Sequence, residues 1–229
     1  ATLLSMDDRV GNFERGDILI EGAKIVAIGE NLAAEGARII DATHMIAMPG
    51  LVDTHRHAWE GQLRRINPDA KTLEDYCNAT HFSFARHYRP ADIYIGNLLT
   101  ALGCIDAGIT TVIDNSHNSR TAAHSDAAVE ALLDAGIRAV HASGAPVSGE
   151  WDRAHWPGNW QRLQEKYFQN NPERLVSLAV MAQLEPEKWL EARRLGLPIV
   201  TEFFGGEMAS QLEALHQQGL LGPDNIFNH

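Results

Sequence analysis

From Pro49 onward the chain repeats one rhythm, and that rhythm restricts the fold more than any other feature. Short apolar runs at Leu51–Thr54, Thr110–Asp114, Arg138–Ala142, Val176–Met181 and Pro198–Phe203 read as strands, and another begins at Asn225. Helical periodicity fills the gaps, at about 72–87, 90–107, 122–135, 160–170, 185–195 and 208–218. Pro90 opens the second of these helices and Gly108 closes it, while Gly136 and Gly219 close two others. Strand–helix alternation implies a parallel sheet, because parallel neighbours need a crossover between them. The rhythm makes six units, the last ending inside its strand. A closed (β/α)8 barrel has eight. An open six-stranded sheet is the alternative. Residues 1–48 obey another rule: apolar and polar residues alternate between glycine turns. Asp17–Ile20 and Lys24–Ile28 flank Glu21-Gly22-Ala23 as a hairpin. The expectation is a small β-sandwich-like domain over 1–48 and a barrel over 49–229.

The strand at Leu51 ends in Asp53-Thr54-His55-Arg56-His57, directly after Pro49-Gly50. Alternate strand residues share a face, so His55 and His57 project together and Arg56 projects away. Two imidazoles at one strand end can reach a single metal ion. In barrels of this type the working residues sit at the C-terminal strand ends and in the loops that follow. That rule selects Asp114 and His117 after the second strand, His141 in the third, Glu202 at the end of the fifth and His229 at the end of the sixth. His141, inside an apolar run, reads as a core histidine.

Residues Pro49 to His57 resemble the first barrel strand of the amidohydrolase superfamily. Gly16 to Gly22 and Lys24 to Gly29 resemble the small β-domain that precedes it, and Ile39 to Ala42 and Met45 to Gly50 the connection into the barrel. The likeness is greatest to the deaminase and chlorohydrolase branch, through Trp59 to Arg65. It implies a (β/α)8 barrel, about six units of which this chain holds, so the chain is read as part of a longer polypeptide. It also implies an enzyme that activates water to attack a C–N or C–halide bond of a small heterocyclic or amide substrate. One divalent metal is expected, zinc, with iron(II) as the alternative. His55 and His57 match the family's metal pair, and His229 its sixth-strand catalytic histidine.

Glu202 departs from that pattern. In Leu197-Pro198-Ile199-Val200-Thr201-Glu202 a glutamate stands where the family has its third metal-binding histidine. It reads as a ligand, as a general acid/base, or as the mark of a site that has lost its metal. Gly205 stands where the family's deaminases carry a proton-shuttling glutamate, and Glu207 is the nearest carboxylate beyond it. The segment 176–183 holds no lysine, which favours one metal over a lysine-bridged pair. Trp59, Gln62 and His117 are candidates for substrate contact. The loop from Ser148 to Trp160 carries Trp151, His155 and Trp156, and could wall a site for a flat substrate.

A formal charge of 19 − 30 = −11 argues against a nucleic-acid partner. Cys77 and Cys104 are the only cysteines, too few for a disulfide framework and too far apart for a Cys-x-x-Cys motif. No apolar run is long enough to span a bilayer. These features read as a soluble cytoplasmic enzyme of small molecules, with homo-oligomerisation left open.

Overall fold

The computed structural model describes residues 1–66, 69–156, 158–169 and 174–229. The chain divides into two compact units, Ala1–Leu51 and Val52–His229. In the first, β1 (Thr2–Leu4) pairs antiparallel with β2 (Asn12–Phe13) and parallel with β5 (Ile46–Ala47). The hairpin of β3 (Asp17–Glu21) and β4 (Lys24–Gly29) closes over Gly22 and Ala23 in the register Glu21↔Lys24. Gly22 sits at φ +61, a left-handed conformation that a two-residue hairpin turn demands.

β6 (Leu51–Arg56) leads into the second unit. The strands that follow are β7 (Ile109–Ser116), β8 (Arg138–Ser143), β9 (Val176–Met181), β10 (Ile199–Glu202) and β11 (Asn225–Asn228). Among the described residues they form one six-stranded sheet in chain order from β6 to β11. From β7 through β11 each neighbouring pair is parallel in register. β6 and β11 are the opposite edges, yet the rings of His55 and His229 lie 4.4 Å apart. The sheet is therefore curled, as in a (β/α)8-type barrel.

The crossovers carry α1 (Leu73–Ala79), α2 (Pro90–Asp106), α3 (Ala122–Ala135), α4 (Gly158–Leu163), α5 (Pro186–Arg194) and α6 (Met208–Gln217). Thr72 and Asp75 cap α1 reciprocally. Pro90 and Pro186 occupy first turns, where the missing N–H costs nothing. A π-helical turn, Gln164–Phe168, continues α4, and residue 170, where the sequence pattern ends this helix, lies outside the described residues. Among the described residues no helix is long and apolar enough to cross a membrane.

Both faces of the sheet are covered, which is why its strands read as near-continuous apolar runs. Val112, Ala139, Val176, Leu178, Val180 and Ile199 pack with Val129 and Leu132 of α3, Trp160 and Leu163 of α4, and Trp189 of α5. The opposite face is smaller: Ala142, Ala179, Met181 and Val200, with Val140 and Ile226 beside them. Glu202 follows Val200 by two residues and so continues that second face.

The turn after the histidine pair, a 3-10 helix over Ala58–Leu63, packs against α2 at two glycines. A Cβ on Gly96 would overlap the carbonyl of Trp59, and one on Gly61 the carbonyl of Gly96. Gly96→Ala is therefore expected to cost about 1–3 kcal/mol, the usual range for overpacking. Gly103→Ala on the same helix meets nothing within 4 Å. It should be neutral or stabilising, since alanine is the better helix former. Denaturant midpoints of the two variants check this; equal midpoints would remove the close-approach argument.

Candidate metal centre

Three strands deliver one cluster. His55 lies in β6 and His57 one residue beyond its end, Glu202 ends β10, and His229 lies one residue beyond β11 rather than within it. Each offers one ligand atom, and the four atoms lie within 4.8 Å of one another. Glu202 Oε1 is 3.4 Å from His57 Nε2 and 4.0 Å from His229 Nε2. Glu202 is buried, His55 and His57 are partly so, and His229 is exposed.

The end of β7 orients the histidine pair. His57 Nδ1–H donates to the Asn115 carbonyl at 2.9 Å, which leaves the Nε2 lone pair turned toward Glu202. The Asn115 side-chain amide lies against His55 Nδ1. The Ala58 N–H donates to Asp114 Oδ1 at 3.0 Å, and His141 Nδ1–H donates to Asp114 Oδ2 at 2.8 Å. His141 is thus a core histidine that braces Asp114. Asn115 carries no signal in the sequence pattern, because a polar residue after Asp114 reads as loop. β7 in fact runs two residues further, with Asn115 paired to Ala142 and Ser116 to Ser143.

Two expected substrate contacts are buried. Trp59 is fully buried, and its indole N–H donates to His117 Nδ1 at 3.2 Å. His117 is 5% exposed and stacks on His57, with ring centroids 4.3 Å apart and planes 12° apart. Both residues back His57 from behind. Their places in the chain suggest the cavity wall, but which side of a short turn faces inward is a matter of packing. Gln62 does line the cleft of about 810 Å³ that His55, His57 and Glu60 also line. Glu60, which the sequence pattern does not single out, accepts the Tyr76 hydroxyl.

Burial governs the electrostatics. Desolvation, helped by His57 and His229 and opposed by Asp53, pushes His55 down to about 4. Desolvation also lowers His57, against the pull of the Asn115 carbonyl and Asp114. His117, fully enclosed, lies well below the ordinary histidine value. These imidazoles are neutral at pH 7, with lone pairs available. Burial pushes Glu202 up to about 7, and Glu60 to about 7 against the stabilising Tyr76 hydroxyl. Glu202 Oε1 is buried with no hydrogen-bond partner among the described residues. A buried carboxylate oxygen facing neutral imidazoles suits a cation.

Comparison with known proteins agrees with this geometry. Residues 46–190 match the model of the amidohydrolase family. Over 114 residues the chain is 34% identical to a 5'-deoxyadenosine deaminase of Methanosarcina barkeri, covering 50% of this chain and 26% of that protein. Over 146 residues it is 34% identical to a 5-methylthioadenosine/S-adenosylhomocysteine deaminase of Symbiobacterium thermophilum, covering 62% of this chain and 32% of that protein. A solved triazine hydrolase variant superposes with a TM-score of 0.78 at 26% identity, over 94% of this chain and 54% of that one. The chain spans well under two thirds of each of these proteins. The match runs through β6 and the His55 and His57 pair at its end, and on across β7, β8 and β9, and the chain belongs to the amidohydrolase family.

Proposed function

We propose that this chain carries the metal-binding end of a hydrolase that acts on C–N bonds other than peptide bonds. The observation that carries the reading is the convergence of His55, His57, Glu202 and His229 within 4.8 Å. Two imidazoles, His55 and His57, and the Glu202 carboxylate form a donor set that suits zinc, with iron(II) as the second choice, and His229 stands beside them. The unpartnered Oε1 of Glu202 and the anchored Nδ1 of His57 support the fit. A divalent ion held there lowers the pKa of a water toward about 7 and polarises the group under attack.

The chain's own residues have separate tasks. Asn115 fixes the His57 ring through its carbonyl. Its side-chain amide nitrogen lies against His55 Nδ1 and holds that ring in place. His229, the most exposed of the four, meets the reacting atom of the substrate and steadies the charge that develops on it. Glu60 lines the same cleft as His55 and His57 and holds a proton near neutrality, so it can hand one to a leaving amine. The names of the two relatives point to aminated purine nucleosides as substrate class, and the triazine hydrolase to other aminated or halogenated nitrogen heterocycles.

Elemental analysis and ammonia release from 5'-deoxyadenosine test the reading together. About one equivalent of a divalent metal with measurable ammonia is expected. A protein that stays metal-free when zinc or iron is supplied, and releases no ammonia, would overturn it. The 3.4 Å contact between His57 and Glu202 would then be a structural pair in a non-catalytic relative.

A further inference from the structure

A second cavity, of about 280 Å³, opens among the residues that follow β8 and β9. It shares no lining residue with the cleft at His55 and His57. Trp151, Trp156 and Trp160 line it, with Met181 and Ala145. The indoles pack edge to face: Trp151 and Trp156 at 6.4 Å and 74°, Trp156 and Trp160 at 5.3 Å and 75°. Rings so packed do not stack in parallel on one another, so a flat guest can stack on them.

Four charged residues complete the lining, and three are engaged. The Arg153 guanidinium sits 4.8 Å from the centre of Trp151, Lys188 pairs with Glu185 at 2.8 Å, and Glu191 pairs with Arg194 at 2.7 Å. Glu187 makes no hydrogen bond or ion pair among the described residues. The unspent charge at this cavity is thus one exposed carboxylate, an acceptor for an N–H donor.

The loop that carries Trp151 is held in place beforehand. Buried Arg120 donates to the carbonyls of Ser148 at 2.8 Å and Glu150 at 3.0 Å, and its own carbonyl accepts the Asp152 N–H at 2.8 Å. Gly149 turns there at φ +78, where a Cβ would press on Arg86 and Arg120. Trp160 Nε1–H donates to the Ser143 carbonyl at 2.9 Å, fixing the opposite wall. An aromatic cavity whose walls are already ordered spends little binding energy on ordering them. Its volume falls just below the usual range for ligand sites, about 300–1,000 Å³, and suits one ring system.

We infer that this cavity is a binding site, separate from the metal cluster, for a planar heteroaromatic ring that bears an amino group. The ring stacks on the indoles and against Met181, and the amino group donates to Glu187. Nothing in this inference depends on metal binding or on turnover at the cluster.

The test is a titration of the protein with 2-aminobenzimidazole, followed by tryptophan emission and calorimetry. Saturable one-to-one binding is expected, with cyclohexylamine not binding under the same conditions. Trp151→Ala and Trp156→Leu should each weaken binding about tenfold, within the range for losing one stacking partner. Trp151→Phe should recover most of it. Benzimidazole should bind more weakly than its amino derivative, and Glu187→Gln should erase that difference. His57→Ala should leave the affinity unchanged, so a failure of the hydrolase reading does not touch this result. The inference is overturned if no probe binds, or if Trp151→Ala and Trp156→Leu leave the affinity unchanged. It is equally overturned if His57→Ala abolishes binding, since the ring would then sit in the metal cleft.

Discussion

Glu202→Ala is expected to weaken zinc binding by about a hundredfold. Zinc in a four-ligand site is held by about 10–16 kcal/mol, so one ligand carries on the order of 3 kcal/mol. Glu202 Oε1 sits between the histidines of the cluster, at 3.4 Å from His57 Nε2 and 4.0 Å from His229 Nε2. Glu202→His restores a lone pair at the same strand end and should retain or strengthen binding. Glu202→Gln keeps the volume but removes the charge, and should fall between. The order His, wild type, Gln, Ala in affinity, read by competition with a chelating dye, separates a ligand from a packing residue. If Glu202→Ala binds zinc stoichiometrically and as tightly as the wild type, Glu202 is no ligand. His55 and His57 would then hold any ion without it.

Much of this cluster can be read from the chain. His55 and His57 stand two apart at the end of an apolar run, and that spacing alone puts them on one face. Glu202 is found by asking what ends the run at Ile199. What the chain cannot show is that these strand ends meet. β6 and β10 are separated by three strands in the sheet, and only its curl brings their ends together. Strand lengths fail where polarity does. Val176–Met181 has the bounds its apolar run implies, whereas β7 continues through Asn115 and Ser116, which hydrophobic patterning assigns to a loop. Pairing with Ala142 and Ser143 of β8 holds those polar residues extended. The orientation of His57 therefore depends on a part of a strand that local pattern hides. The burial of Trp59 and His117 is hidden for a related reason: proximity in sequence to a metal pair does not tell front from back.

The residue just before that hidden segment sets the second large effect. Asp114 is fully buried, and each of its oxygens accepts one hydrogen bond, from Ala58 N–H at 3.0 Å and from His141 Nδ1–H at 2.8 Å. Asp114→Ala would leave two buried donors without acceptors. At about 1–3 kcal/mol for each group so stranded, the loss should be about 3–5 kcal/mol. In a unit of this size that lowers the melting temperature by on the order of 10 °C. Ala58 follows His57 directly, so the released turn should also loosen the His57 ring and weaken metal binding. Asp114→Asn discriminates between charge and geometry. Its carbonyl can still accept from Ala58, and its amide can donate to His141 Nδ1 if that ring moves its proton to Nε2. His141 Nε2 has no hydrogen-bond partner among the described residues, so the tautomer change breaks no existing bond. Asp114→Asn should therefore lose less than half of what Asp114→Ala loses, in both melting temperature and metal affinity. If both variants fall equally, the negative charge of Asp114 matters more than its two acceptors, and the account of how β7 steadies the histidine pair is wrong.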